Sequence, residues 1–187
     1  MLPFARLNLP GARHAAEGRR LIANGDGIGA IVRTLATAGD KQEERQDLKL
    51  ALITALIRLS IGEDPELRAK IIDAGALPLL IKLVGTSAGD LSHNLQHCAA
   101  ACLGCIARGD EESREAVFES GALQCLQNGL EFCTEPLVQQ ECCTALGACC
   151  YVGHAIASER MTHIPTESNC RCWYVALACS KHNVRPS

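Results

Sequence analysis

A chain of 187 residues with 18 basic and 21 acidic side chains, net charge −3, has no bulk positive field to gather nucleic acid or an anionic membrane. Hydrophobic residues make up 48% and aromatics only 3%. The core is therefore drawn from Ala, Leu, Ile and Cys, which suits close-packed helices and disfavours a β-sandwich.

From the start, Met1 to Arg20 lacks the apolar block of a secretory signal and carries Pro3 and Pro10. No later apolar run is long enough to span a bilayer, because charged or polar residues interrupt every candidate. Three segments then read alike: Asn24–Val32, Asp73–Ile81 and Glu119–Gln127. Each carries a glycine where one short helix breaks and the chain turns into the next, as at Gly75 and Gly121. A second element repeats downstream of each turn. Leu48, Leu52, Ala55, Leu56 and Leu59 form one helical stripe, matched rank for rank by Leu95, Ala99, Cys102, Leu103 and Ile106. Val138, Cys142, Ala145, Leu146 and Cys149 form the third copy. Each unit is thus expected to be a short helix, a turn, a second helix, a polar loop and a longer third helix. Loops are placed at 38–44, 62–65, 85–90 and 109–112. Asp64 and Asp110 are candidate N-caps, and Pro65 and Pro136 stand where a first helical turn tolerates proline.

These residues resemble the armadillo family, whose signature for the first-to-second helix turn is close to Ile72–Ile81 here. The resemblance covers about residues 16–151. It implies an all-α, right-handed α-solenoid of about three armadillo repeats, divided 16–61, 62–108 and 109–151. Residues 1–15 are read as a remnant of a preceding repeat or an N-terminal cap, and 152–187 as a divergent tail or cap that matches no repeat. A fragment or shortened product of a longer array is the expectation that follows.

The family's third helices line a concave groove, and its activity is protein binding in adhesion, signalling, nuclear import and ciliary assembly. In the importin-alpha branch the third helix carries a tryptophan and, four residues on, an asparagine that grip an extended basic peptide. Those ranks fall here on Thr54 and Arg58, Ala101 and Cys105, and Thr144 and Ala148, so no such ladder is present. The same helix face presents Asp47, Asn94 and Glu141. The expected partner-binding groove therefore comprises Asp47, Thr54, Arg58, Asn94, Ala101, Cys105, Glu141, Thr144 and Ala148, with Arg58 as its strong donor for a carboxylate or carbonyl.

Other motifs have blander readings. Cys98, Cys102 and Cys105 have the C-x3-C-x2-C spacing of a radical-enzyme iron–sulfur cluster, but they lie inside a helical stripe rather than a wrapping loop. Gly25, Gly27 and Gly29 coincide with the repeat turn and lack the strand and Lys-Ser/Thr of a phosphate loop. Cys170, Cys172, Cys179 and His182, with His163 nearby, could supply a zinc site, yet their spacing matches no common pattern. His93 and His97 share a helix face without a third ligand. No catalytic residue, metal site or cofactor is assigned. The cysteines act as small hydrophobes in a reducing compartment, the cytoplasm first and the nucleus or cilium as alternatives.

The functional expectation is a non-catalytic scaffold that holds a peptide or helix of a partner protein, with no nucleic acid and no membrane insertion. A regulatory factor for a small GTPase or chaperone is the alternative, and a metal-dependent enzyme using the tail is the third. Because the last stripe ends at Cys149, the C-terminal end is expected to be the weak point and a route to self-association.

Overall fold

The computed structural model describes residues 10–38, 43–62, 64–85 and 93–150. Of the segment 1–15 read as a remnant or cap, residues 1–9 lie outside the described residues and 10–15 belong to the first helix; the tail 152–187, with its cysteines and histidines, lies outside them too. Nine helices and no strand occur among those described: α1 (Pro10–Asn24), α2 (Gly27–Thr37), α3 (Glu43–Ser60), α4 (Pro65–Asp73), α5 (Ala76–Gly85), α6 (His93–Ala107), α7 (Glu111–Glu119), α8 (Ala122–Phe132) and α9 (Pro136–Cys150). They form three successive triplets, and the third helices α3, α6 and α9 pack side by side with α6 in the middle.

The turns and caps follow from local chemistry. Gly75 and Gly121 take φ of 81° and 82° between the first and second helices of their triplets, where a Cβ would be strained. In the first triplet the left-handed residue is Asp26, at φ 56°, not one of the flanking glycines. Its carboxylate accepts from Arg33 at 2.7 Å. Short polar side chains tolerate this region better than most. Asp64 caps α4 by accepting from the Glu66 N–H, and Asp110 caps α7 by accepting from the Ser113 N–H at 2.8 Å. Pro65 and Pro136 open α4 and α9. At the other end of α8, the Gln139 amide donates to the carbonyls of Leu130 and Cys133, satisfying groups the helix leaves orphaned.

The stripes pack with one correction. Leu95, Ala99, Cys102, Leu103 and Ile106 are all buried, and so are Val138, Cys142, Ala145, Leu146 and Cys149. Val138 and Leu146 lie in the core on the flank toward α6. In α3, however, Leu48 is 44% exposed and Leu52 and Ala55 are half-buried. The stripe read from the sequence is the flank that each third helix turns toward the preceding one, and among the described residues no third helix precedes α3. Leu56 and Leu59 of the stripe are buried, and Lys49, Ile53 and Ser60 are buried with them, Lys49, Ile53, Leu56 and Ser60 forming the flank toward α6. Gln96, Ala100, Leu103 and Ala107 hold the same ranks on α6 and are also buried.

Arginines tie the first helices to the next triplet. Arg20 of α1 reaches the α4 cap, with Nε 2.9 Å from Asp64. Arg68 of α4 reaches the α7 cap, with Nε 2.9 Å from Asp110, and its side chain is only 6% exposed. Arg68 also donates through Nη1 to the Gly62 carbonyl at 2.6 Å. A Cβ on Gly109 would collide with the Arg68 side chain, so the loop before α7 is shaped around that guanidinium.

Burial works to raise the Asp110 pKa, but the Ser113 N–H, Arg68 and the Ser113 hydroxyl together hold it below the ordinary carboxylate range. A depressed carboxylate stabilises the fold fully above its unfolded pKa and loses that contribution as pH falls through the folded value. Asp110→Ala is expected to cost about 3 kcal/mol, the low end for breaking a buried pair because Asp110 is 31% exposed. Asp64→Ala, beside an exposed arginine, should lose only its cap, about 1 kcal/mol. Urea unfolding of both variants at neutral pH checks the difference, which should shrink in acid below the carboxylate range.

Buried thiols give a second test. Cys102 and Cys142 are free and fully buried. Desolvation drives the Cys102 pKa far upward and pushes Cys142 up to about 12. Neither thiol forms the nucleophilic thiolate at pH 8. Iodoacetamide should leave both unmodified in the native protein and label both in denaturant, as read by mass spectrometry. Cys102→Ala should cost about 1 kcal/mol, a small lost contact rather than a broken bridge.

Candidate protein-binding groove

The third helices bury two flanks in stacking, and their remaining face is open. Asp47, Ala51, Thr54 and Arg58 on α3 share one side of the helix and are all exposed. On α6 the corresponding face carries exposed Asn94, half-buried Cys98, Ala101 and Cys105, and exposed Arg108 just past the helix end. On α9 it carries half-buried Glu141 and Thr144. Of the nine residues expected from the sequence, Ala148 is the one buried, at 6% exposure; it packs beneath the face rather than on it.

The middle row is smooth and chemically quiet. The Thr54 hydroxyl donates to the Leu50 carbonyl at 2.7 Å, and the Thr144 hydroxyl donates to the Gln140 carbonyl at 2.8 Å. Each hydroxyl's donor is therefore used inside its own helix. Ala101 holds the same rank on α6, between α3 and α9. A row of two threonines and an alanine thus crosses the three helices with no donor to offer.

Charge lies on either side of that row. Asp47 and Glu141 precede it in their helices, while Arg58 and Arg108 follow it. His97 Nε2 stands 3.8 Å from Glu141 Oε1, linking α6 to α9 when the imidazole is protonated. Arg108 Nε donates back to the Gly104 carbonyl at 3.2 Å, closing the end of α6. Burial raises the Cys98 pKa, and the Glu141 charge adds to it. At Cys105 burial again dominates upward, with Arg108 opposing and Glu141 reinforcing. Both thiols are held in the neutral form.

Sequence reading did not name His97, Cys98 or Arg108 as groove residues. Cys98 holds the same rank as Ala51 and Glu141, so the periodicity contained that signal. Arg108 lies beyond the helical stripe, where periodicity gives none. The tempting motifs resolve as packing. Cys98, Cys102 and Cys105 all lie within α6, and Gly25 and Gly27 form the α1–α2 junction. His93 faces Gln96 while His97 faces Glu141. Among the described residues no three His, Cys, Asp or Glu side chains converge as metal ligands.

No protein-family model matches the sequence, and no curated protein matches it. Solved structures do. A designed armadillo repeat protein in complex with the peptide (KR)4 superposes with a TM-score of 0.66 at 22% identity, covering 87% of this chain and 68% of that one. A computationally designed armadillo repeat protein for modular peptide recognition gives 0.62 at 24% identity, over 88% and 70%. An engineered protein gives 0.65 at 22% identity, and the chain spans 66% of its length. It spans 40% of another engineered protein. At these identities the likeness speaks for the fold alone. That fold, with helices in triplets and third helices stacked, is the right-handed armadillo-repeat solenoid.

Proposed function

We propose that this chain is a non-catalytic interaction module that takes a segment of a partner protein on the open face of α3, α6 and α9, the concave face in this fold. The observation that carries the reading is the row Thr54–Ala101–Thr144. Small side chains leave room for a ligand to approach the helices closely, and mixed charge flanks them. The designed solenoids of the same fold include one bound to a peptide and one made for peptide recognition, which supports peptide binding as a use of this fold. Neutral, partly buried thiols at Cys98 and Cys105 argue against nucleophilic chemistry there. A net charge of −3 and the lack of a basic stripe favour protein over nucleic acid. No described helix is long and apolar enough to cross a membrane. Cysteines used as packing suit a reducing compartment such as the cytoplasm or nucleus.

Site-specific crosslinking tests the surface. A photo-crosslinking amino acid in place of Ala101 should capture partner proteins, whereas one at exposed Glu112 on α7 should not. Equal capture from both positions would remove the groove from the proposal. The groove is also expected to ignore basic nuclear-import signals, because Arg58 repels lysine and no asparagine row grips the backbone. Fluorescence anisotropy with such a peptide at micromolar concentration should show no saturable binding; binding lost on Ala101→Trp would contradict this.

A further inference from the structure

We infer that the groove's occupant is an amphipathic helix with two unlike charged flanks, basic on one side and acidic on the other, rather than an extended peptide. The inference rests on the proposed role of the open face and names the partner that face would hold.

Backbone chemistry separates the two kinds of ligand. Three third helices at interaxial distances of about 8–10 Å give a floor roughly 20 Å long. An extended segment of that length has about six residues, each bringing an N–H and a C=O to an apolar surface. Those groups need partners, and leaving each unmade costs about 1–3 kcal/mol. The floor has few to give. The Thr54 and Thr144 hydroxyl donors are engaged within their helices. Ala101 has none, Ala148 is buried, and the half-buried Cys105 offers only a weak S–H donor. Arg58 is the one strong donor on the row that elsewhere would grip a backbone. A helix satisfies its own backbone internally and asks only for a smooth floor, so about 13 residues of helix would cover this one.

Width and charge fit the same ligand. Asp47 and Arg58 lie eleven residues apart on α3, about 16 Å along the axis. A helix with side chains is about 10–12 Å across. It would therefore lie over the row Thr54–Ala101–Thr144 with one long edge toward Asp47 and Glu141 and the other toward Arg58 and Arg108. Complementarity then asks for Lys or Arg along the first edge and Asp or Glu along the second. Turning the ligand end for end exchanges its edges, so charge also decides which end of the helix points to α3.

The probe is an amidated helical peptide of about 18 residues with an Ala/Leu stripe, Lys on one flank and Glu on the other. A flank-exchanged version, a version with Lys on both flanks, and the peptide (KR)4 complete the set. By fluorescence anisotropy the two Lys/Glu peptides should bind saturably. The all-Lys helix and (KR)4 should bind roughly three- to tenfold more weakly, the scale of two exposed ion pairs. The double variant Arg58→Glu/Arg108→Glu should weaken the Lys/Glu peptides by a similar factor while its helical circular dichroism is unchanged. A nitroxide at the peptide N-terminus should broaden α3 amides with one Lys/Glu peptide and α9 amides with the other. Tighter binding of (KR)4, equal binding of the all-Lys helix, one orientation for both peptides, or no saturable helix binding would each overturn the inference. Helix binding that survives Ala101→Trp would instead sink the underlying assignment of the open face.

Discussion

The close stacking of the third helices is the constraint on which the groove depends. Ala145 on α9 sits so near Gly104 on α6 that a Cβ there would meet its Cα at 3.1 Å. That approach is tighter than side chains normally allow, and it is possible because both positions are small. α6 is buried on two flanks: Leu95, Ala99 and Cys102 toward α3, and Gln96, Ala100 and Ala107 on the side toward α9. With two flanks used for stacking and the back covered by α5 and α7, the remaining face is left open. Interior packing of this density transmits any change in side-chain size. The small ranks that set the helix spacing therefore also set the floor's dimensions.

Stacking alone would let successive triplets swivel, and the arginine links oppose this. Arg68 holds both the carbonyl of Gly62, just past α3, and the cap of α7, bridging the middle triplet's first helix to the third helix before it and the first helix after it. Arg19, Arg68 and Arg114 each stand seven residues before the left-handed residue of their turn. Arg19 packs against Gly62 much as Arg68 packs against Gly109. Only Arg68 combines that position with an ion pair; the Nε atoms of Arg19 and Arg114 are buried without a hydrogen-bond partner among the described residues. In the first link Arg20 replaces Arg19 as the partner of the cap.

Most of this fold was legible because its signals are local. The period of the stripes, the turn glycines and the aspartate caps each concern residues within a few positions of one another, and helices obey such rules closely. The errors are those of long range. Leu48 reads as core because its rank is core in the other two copies; its exposure depends on what lies beside α3, which no periodicity encodes. Asp26 takes the left-handed position between two glycines, and sequence alone does not say which of the three will. The Arg68–Asp110 pair spans 42 residues and had no signal beyond a repeated spacing. The groove was legible as a face but not as a chemistry. Thr54 and Thr144 look like donors in sequence, and only their bonds to Leu50 and Gln140 reveal that the donors are already used. Ala148 drops out because α9 turns that rank into the core.

Equivalent ranks also reveal how cohesion is distributed along the stack. Ile71 and Val117 are fully buried, yet their counterpart Ile22 is 46% exposed. Leu95 and Val138 are each 1% exposed against 44% at Leu48. Fully burying such a side chain contributes about 1.5–3 kcal/mol, so the first triplet lacks several kcal/mol of cohesion that the other two have. In a nearest-neighbour solenoid that deficit stays local. Opening of α1–α3 is therefore expected to require less free energy than opening of the middle triplet α4–α6. The floor is consequently expected to be stiffer at Ala101 and Cys105 than at Thr54 and Arg58. A partner that contacts all three helices would order the α3 side as it binds. Part of its interaction energy would then go into fixing that triplet, and its affinity would rise with any change that fills the flank beside Ile22 and Leu48.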